Sequence, residues 1–93
     1  MSVAGQIGVP TQGDNRLSDG VDLNDVTEPK AYSGDPARTY VNIPQTGVYF
    51  TLLCFKYEAA WPIRIQLFMS TSGALFIRFK WNVNPWGKWV TLS

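Results

Sequence analysis

The residues that most enzymes use for acid–base or nucleophilic chemistry are scarce in this 93-residue sequence. It has no histidine and one cysteine, Cys54, which lies inside a strongly apolar run. These counts exclude histidine-based nucleophilic dyads, an intrachain disulfide and a cysteine-based zinc site. Glu58 is the only acidic side chain after residue 36, so a pair of hydrolytic carboxylates would have to recruit the N-terminal segment. We therefore expect no enzymatic activity, no metal and no cofactor.

A small cluster of oxygen-bearing side chains lies near the N-terminus, at Asp19, Asp22, Asn24 and Asp25. The cluster is superficially similar to a calcium-binding loop. It lacks the glycine and the distant bidentate glutamate of the EF-hand pattern. A solvated turn is the better interpretation.

Cations and aromatic rings alternate along two neighbouring predicted strands. Arg64, Arg78 and Lys80 would project beside Phe68 and Phe76, an arrangement that small β-barrels use to stack the bases of single-stranded nucleic acid. The net charge of only +1 and the absence of an RNP-type motif argue against this use. We expect no nucleic-acid partner.

Tryptophan and asparagine in two loops suit carbohydrate recognition better. Aromatic rings offer flat apolar surfaces to sugars, while amide and guanidinium groups satisfy hydroxyls. The candidate glycan-binding residues are Trp61, Arg78, Asn84, Trp86 and Trp89. The alternative, that these tryptophans only pack the core or a subunit interface, stays open at this stage.

The N-terminal part of the chain lacks a periodic pattern that could build a core. Glycine, proline and short polar residues interrupt every candidate segment, so residues 1–20 are predicted to be an extended arm used for attachment or oligomerisation. Residues 21–26 predict a short helical turn or a brief strand, capped by Asp22 or Asn24.

From residue 39 onward, β-branched and aromatic residues alternate in short runs bounded by turn formers. The pattern predicts strands over residues 39–43, 47–57, 63–69, 74–81 and 89–92, with a hairpin turn at 70–73. The run 47–57 is apolar on both faces, which indicates a central strand or a subunit interface. We therefore predict an all-β fold with at most one short helical turn. Residues 21–93 would form a small antiparallel β-sandwich or meander.

The composition suggests that this domain associates with other chains. Hydrophobic residues make up 45% of the sequence and charged residues only 16%. A chain of this size buries a modest core, and surplus apolar surface usually marks contact with a partner. No run approaches the length of a transmembrane helix, so membrane insertion is not expected.

Several short motifs follow one another between residues 21 and 92. In chain order they are Val21-Asp22-Leu23-Asn24, Pro29, Tyr32, Asn42, Pro44, Gly47-Val48-Tyr49, Ile65-Gln66-Leu67, Ile77-Arg78-Phe79 and Trp86-Gly87-Lys88-Trp89. This order resembles the pyocin-knob modules of phage tail fibres and R-type pyocin fibres. The sequence departs from that pattern at Lys30-Ala31, where the family usually has glycine after the proline.

The resemblance implies a phage virion structural protein of the tail-fibre or appendage type. Such a protein would be made in the bacterial host cytoplasm and located in the virion. Its knob would be a homotrimer that contributes to attachment to a host-surface glycan, while the N-terminal arm would contact other virion proteins of the tail or capsid. The alternative is a purely architectural adaptor or capsid-decorating protein that binds only other virion proteins.

Overall fold

A computed structural model describes residues 6–8, 11–58 and 60–93 of the chain. Its strands are β1 (Gln6–Gly8), β2 (Thr11–Arg16), β3 (Lys30–Gly34), β4 (Phe50–Glu58), β5 (Pro62–Ser70), β6 (Leu75–Trp81) and β7 (Val90–Thr91). The described residues contain one helical element, a single 3-10 turn at Leu23–Asp25. It is far too short to cross a bilayer. The predictions of an all-β fold and of one short helical turn are confirmed.

The strands form a single mixed sheet in the order β2-β3-β4-β5-β6-β7, and β1 also pairs with β4. Strands β3 to β7 are antiparallel neighbours, as the meander prediction requires, and the turn at 70–73 closes the β5–β6 hairpin. Strands β2 and β3 run parallel, a pairing that the sequence did not suggest. β4 is central, with β5 along one side and β3 and β1 along the other.

Two predicted strand segments are not strands. Residues 39–43 form only an isolated bridge, Val41 to Asp22, because Asn42 adopts a φ of 60° that turns the backbone out of the extended conformation. Residues 47–49 precede β4 rather than belonging to it. Gly47 has a φ of 73°, a conformation that ends an extended run and that glycine adopts without steric cost.

Most of the described part of the predicted N-terminal arm lies in the sheet. Gln6–Gly8 pairs with the end of β4, and Thr11–Arg16 runs beside β3. Leu17, which follows β2, is buried in the core. Residues 1–5 and 9–10 lie outside the described residues, and the attachment role of the arm stays a prediction.

The core forms between one face of the sheet and the irregular segments 17–29 and 35–49 on either side of β3. Its buried members are Leu17, Leu23, Val26, Tyr40, Phe50, Leu52 and Phe68. Phe68 is the centre: its ring stacks on Phe50 at 4.4 Å between centroids and meets Phe76 and Trp89 edge-on. Aromatic pairs of this geometry stabilise a small core beyond the area that they bury.

The sheet buries the face that carries its polar residues. Leu52, Cys54, Gln66, Phe68 and Arg78 all point toward the core. Apart from Thr51, the opposite face of β4, β5 and β6 is apolar, yet all its side chains are partly or fully exposed. We call this the open face. Its apolar members are Leu53, Phe55, Tyr57, Ile63, Ile65, Leu67, Met69, Leu75, Ile77, Phe79 and Trp81.

Candidate ligand-binding groove

A buried cation lies at the centre of the candidate site. Arg78 in β6 pairs in register with Gln66 in β5, and their relative exposures are only 3% and 0%. The Arg78 Nε donates to Gln66 Oε1 at 2.8 Å, and its Nη1 donates to Asn24 Oδ1 at 2.9 Å. These bonds fix the guanidinium against the 3-10 turn.

Gln66 attaches the same turn to the sheet. Its Nε2 donates to the carbonyl oxygens of Leu23 at 2.7 Å and Val26 at 2.9 Å. The turn forms at this point because Asp22 caps it, its Oδ1 accepting from the Asn24 backbone N–H at 2.8 Å. The apolar Leu23 side chain then inserts into the core.

Two tryptophans enclose the guanidinium. The Arg78 Cζ lies 4.4 Å from the ring centroid of Trp86 and 4.5 Å from that of Trp89, within cation–π range. Both indole N–H groups are used: Trp86 donates to the Asn24 carbonyl and Trp89 to the Asn42 carbonyl. The loop between β6 and β7 is thereby held against the segment 22–42.

Asn42 completes the arrangement through its unusual backbone. Asparagine is one of the few residues that tolerate a positive φ. While the Asn42 carbonyl accepts from Trp89, its side-chain Nδ2 donates to Asp22 Oδ1 at 2.8 Å. The pKa of Asp22 is lowered by this hydrogen bond, by the one from the Asn24 backbone N–H and by the charge of Arg78. The carboxylate is therefore ionised at neutral pH.

Arg78 is buried without a close ion pair. In the described part of the chain no carboxylate lies within salt-bridge distance of it, and its Nη2 has no hydrogen-bond partner. Burial, partly offset by the charge of Asp22, lowers the pKa of Arg78 to about 10. The group therefore stays a cation at neutral pH, with hydrogen-bonding capacity left over.

These residues line an open groove of about 390 Å³. Its walls are Asn24, Asn42, Ile43, Arg78, Pro85, Trp86, Gly87, Lys88 and Trp89. Partly exposed indole rings, side-chain amides and an exposed lysine meet there without a lining carboxylate. Such a groove can stack a sugar ring and hydrogen-bond its hydroxyl groups.

The structure unites three of the five predicted glycan-binding residues. Arg78, Trp86 and Trp89 share one cluster, and the exposed Asn84 lies in the same loop, just before the groove residue Pro85. Trp61, 54% exposed, lies instead in the turn between β4 and β5 and is not a groove residue.

Sequence reasoning did not place Asn24, Asn42 or Gln66 at this site. A signal for Gln66 was available, because the strand alternation puts it on the same face as Phe68 and opposite Arg78 in the next strand. No comparable signal exists for Asn24 and Asn42, which lie in irregular segments.

The other candidate chemistries find less support in the geometry. Phe68, one of the residues that would stack the bases of single-stranded nucleic acid, is fully buried in the core. Across the described residues, no three His, Cys, Asp or Glu side chains are grouped so that they could hold a metal ion. Asp19 Oδ1 instead accepts from the Thr39 backbone N–H, at 2.6 Å.

Comparison with known proteins gives no relative: no protein-family model, no curated protein and no solved structure matches the chain significantly. The resemblance to pyocin-knob modules therefore stays a prediction. Seven of the residues quoted for it lie together at the groove cluster, although they are scattered over more than sixty positions in sequence. They are Asp22, Asn24, Asn42, Gln66, Arg78, Trp86 and Trp89.

Proposed function

We propose that this chain is a non-enzymatic structural protein of a phage virion, of the tail-fibre or appendage type. Its β-rich knob assembles as a homotrimer and contacts a host-surface glycan through the Arg78–Trp86–Trp89 groove. The observation that carries the binding role is the groove itself: two tryptophan rings beside side-chain amides and two cations, with no carboxylate lining it.

Three properties of the groove favour a saccharide over a purely apolar ligand. The indole rings are held rigidly by their N–H bonds, so little conformational freedom is lost when a sugar stacks on them. Asn24 and Asn42 add amide groups at the walls. Lys88 is exposed at the rim and supplies a further donor.

A panel of bacterial surface polysaccharides, printed as an array, tests the binding role. We expect the wild-type protein to bind at least one of them, Trp86→Ala to lose binding, and Lys88→Ala to bind about tenfold more weakly through loss of a charged hydrogen bond. Trp61→Ala is the matched control, since this tryptophan is exposed but outside the groove. Equal binding by wild type and Trp86→Ala contradicts the proposal.

The architectural adaptor is a second candidate, and one observation favours it. Trp86, Trp89 and Arg78 all hydrogen-bond to backbone or side-chain groups of the segment 22–42, so the cluster also fastens the chain together. If the array shows no binding for the wild type, while antibodies against the protein label phage particles that encode it, the adaptor is the correct function.

A further inference from the structure

Three cations lie side by side across the central strands of the sheet. Lys56 in β4 pairs in register with Arg64 in β5, and Arg64 pairs with Lys80 in β6. Alternation puts them on the same face as Gln66 and Arg78, one same-face position further along the strands. Like charges that are directly opposite one another in a sheet repel. An anion that binds beside these cations would therefore stabilise the folded chain.

A pocket of about 170 Å³ opens beside two of these cations. Its lining residues are Thr27, Pro62, Arg64, Lys80 and Asn82. Besides the two positive charges, a hydroxyl group and a side-chain amide can donate hydrogen bonds there. No carboxylate is among the described lining residues, and Glu28, which follows Thr27, is exposed outside the pocket. The pocket therefore combines positive charge with neutral hydrogen-bond donors.

The 3-10 turn and its attachment to the sheet bring Thr27 to this pocket. The carbonyl oxygen of Val26, the residue before it, accepts from Gln66 Nε2 at 2.9 Å. Arg64 is the next same-face position of β5 after Gln66, and Lys80 lies opposite it. The bond that holds the turn to the sheet thus places the next residue of the chain over these two cations.

The open end of the β5–β6 hairpin forms the other wall. The Asn82 backbone N–H donates to the Pro62 carbonyl at 2.7 Å, and a φ of 55° at Asn82 turns the chain out of β6. Lys80 Nζ donates to the Asn82 carbonyl at 3.0 Å. This bond uses one of the three N–H groups of the ammonium, so Lys80 is held at the pocket with two donors left for a ligand.

Phosphate and carboxylate groups match this combination of charge and donors. Hydrogen bonds from a guanidinium or an ammonium to such groups are about twice as strong as neutral ones. The planar guanidinium of Arg64 can hold two oxygens of one group, while Lys80 adds a compact charge. We infer that the pocket lined by Arg64, Lys80, Thr27 and Asn82 is a binding site for an oxyanion, either a phosphate or a carboxylate.

This site goes beyond the proposed glycan groove, with which it shares no lining residue. Its link to the groove is β6, in which Arg78 and Lys80 are two residues apart, about 7 Å along the strand. Two sources could supply the oxyanion: free phosphate, or an acidic substituent on a saccharide that is bound in the groove.

Titration followed by amide proton–nitrogen correlation NMR tests the site and distinguishes the sources. The probes are inorganic phosphate, glucuronate and, as an uncharged comparison, glucose, at pH 7 and constant ionic strength. We expect phosphate to cause saturable shifts of the Thr27, Arg64, Lys80 and Asn82 amides with a dissociation constant on the order of 1 mM, and glucose to cause none. Saturation by glucuronate as well assigns the site to acidic saccharides, and saturation by phosphate alone assigns it to phosphate.

Two substitutions connect the shifts to the pocket. Lys80→Gln removes one charge and is expected to weaken phosphate binding at least tenfold. Thr27→Val keeps the side-chain shape without the hydroxyl, and we expect binding about fivefold weaker. Lys30→Gln is the matched control, since this exposed lysine at the start of β3 is outside the pocket. The dispersion of the same spectra shows that each variant folds.

The inference is overturned if phosphate gives no saturable shift of these four amides in the wild type. It is also overturned if Lys80→Gln and Thr27→Val both bind phosphate as tightly as Lys30→Gln does. The groove supplies none of these residues, so a polysaccharide array without binding leaves this test unaffected.

Discussion

Gln66 is the residue on which the groove and the core depend together. Its amide bonds two carbonyls of the 3-10 turn, and its oxygen accepts from Arg78. Gln66→Leu would remove three buried hydrogen bonds and leave the Nε of a buried cation, Arg78, without its partner. We expect the free energy of unfolding to fall by about 3–5 kcal/mol.

Urea denaturation measures this effect, with Gln45→Leu as the control. Gln45 lies in the loop before β4 and accepts one side-chain bond, from Ser72, so its replacement is expected to cost less than about 1 kcal/mol. A loss of under 1 kcal/mol for Gln66→Leu as well would show that the network does not hold the turn to the sheet.

Cys54 gives the protein a pH-dependent stability. It is fully buried, its Sγ donates to the Val26 carbonyl, and burial raises the pKa of its thiol from 9.0 to about 11. Between these two values the unfolded chain releases a proton that the folded chain retains. The free energy of unfolding therefore falls as pH rises from 9 to 11, by at most about 1.4 kcal/mol per pH unit.

Cys54→Ser removes this titration while keeping a donor for Val26. Urea denaturation of both proteins at pH 8 to 10.5 compares them, and we expect the wild type to lose stability more steeply above pH 9. Parallel curves would mean that the folded thiol ionises as readily as the unfolded one. Tyr32, whose pKa is raised mainly by burial, and Arg78, whose pKa is lowered to about 10 by burial, are present in both proteins, so the difference between the two curves reports chiefly on Cys54.

At the scale of elements, alternation in the sequence predicts strands well where the pattern is long. β5 and β6 begin and end within one residue of their predicted limits. Each has seven or more positions that alternate between the two faces of the sheet. The strand prediction for residues 39–43 was wrong, although their β-branched and aromatic residues suit a strand. Asn42 has a positive φ, which ends the extended conformation and allows its hydrogen bonds with Trp89 and Asp22.

Alternation did not show which sheet face the rest of the chain covers. Residues 17–29 and 35–49 cover the face with Gln66 and Arg78, where the 3-10 turn offers polar partners. This cover depends on hydrogen bonds between distant irregular segments, which leave no periodic signal in the sequence. The tryptophan and arginine members of the groove were predicted from their chemistry, whereas Asn24 and Asn42 depend on turns that a single sequence does not reveal.

The contact between β3 and the start of β4 yields a prediction about an element junction. Gly34 pairs with Phe50, and the Phe50 ring lies where a Cβ at Gly34 would be. Gly34→Ala must displace this core ring, so we expect a loss of about 1–3 kcal/mol. Thermal and urea unfolding would show it. Ser33→Ala, the adjacent position in β3, is the control, and equal stability of the two variants would contradict the packing.

At the scale of the whole molecule, the sheet separates two roles. One face builds the core and holds the groove cluster, in which a buried arginine is compensated by amides and indole rings rather than by a close ion pair. The other face, over β4, β5 and β6, carries only uncharged, mostly aliphatic and aromatic side chains. Composition alone predicted surplus apolar surface, but only the strand register shows that this surface is gathered on one face.

The mass of the wild-type protein in solution tests the central claim most directly. Light scattering coupled to size-exclusion chromatography is expected to give three times the 10.4 kDa of one chain, because the knob that we propose is a homotrimer. A stable particle of 10.4 kDa at micromolar concentration would contradict the account, since the open face would then be exposed to water in the native protein.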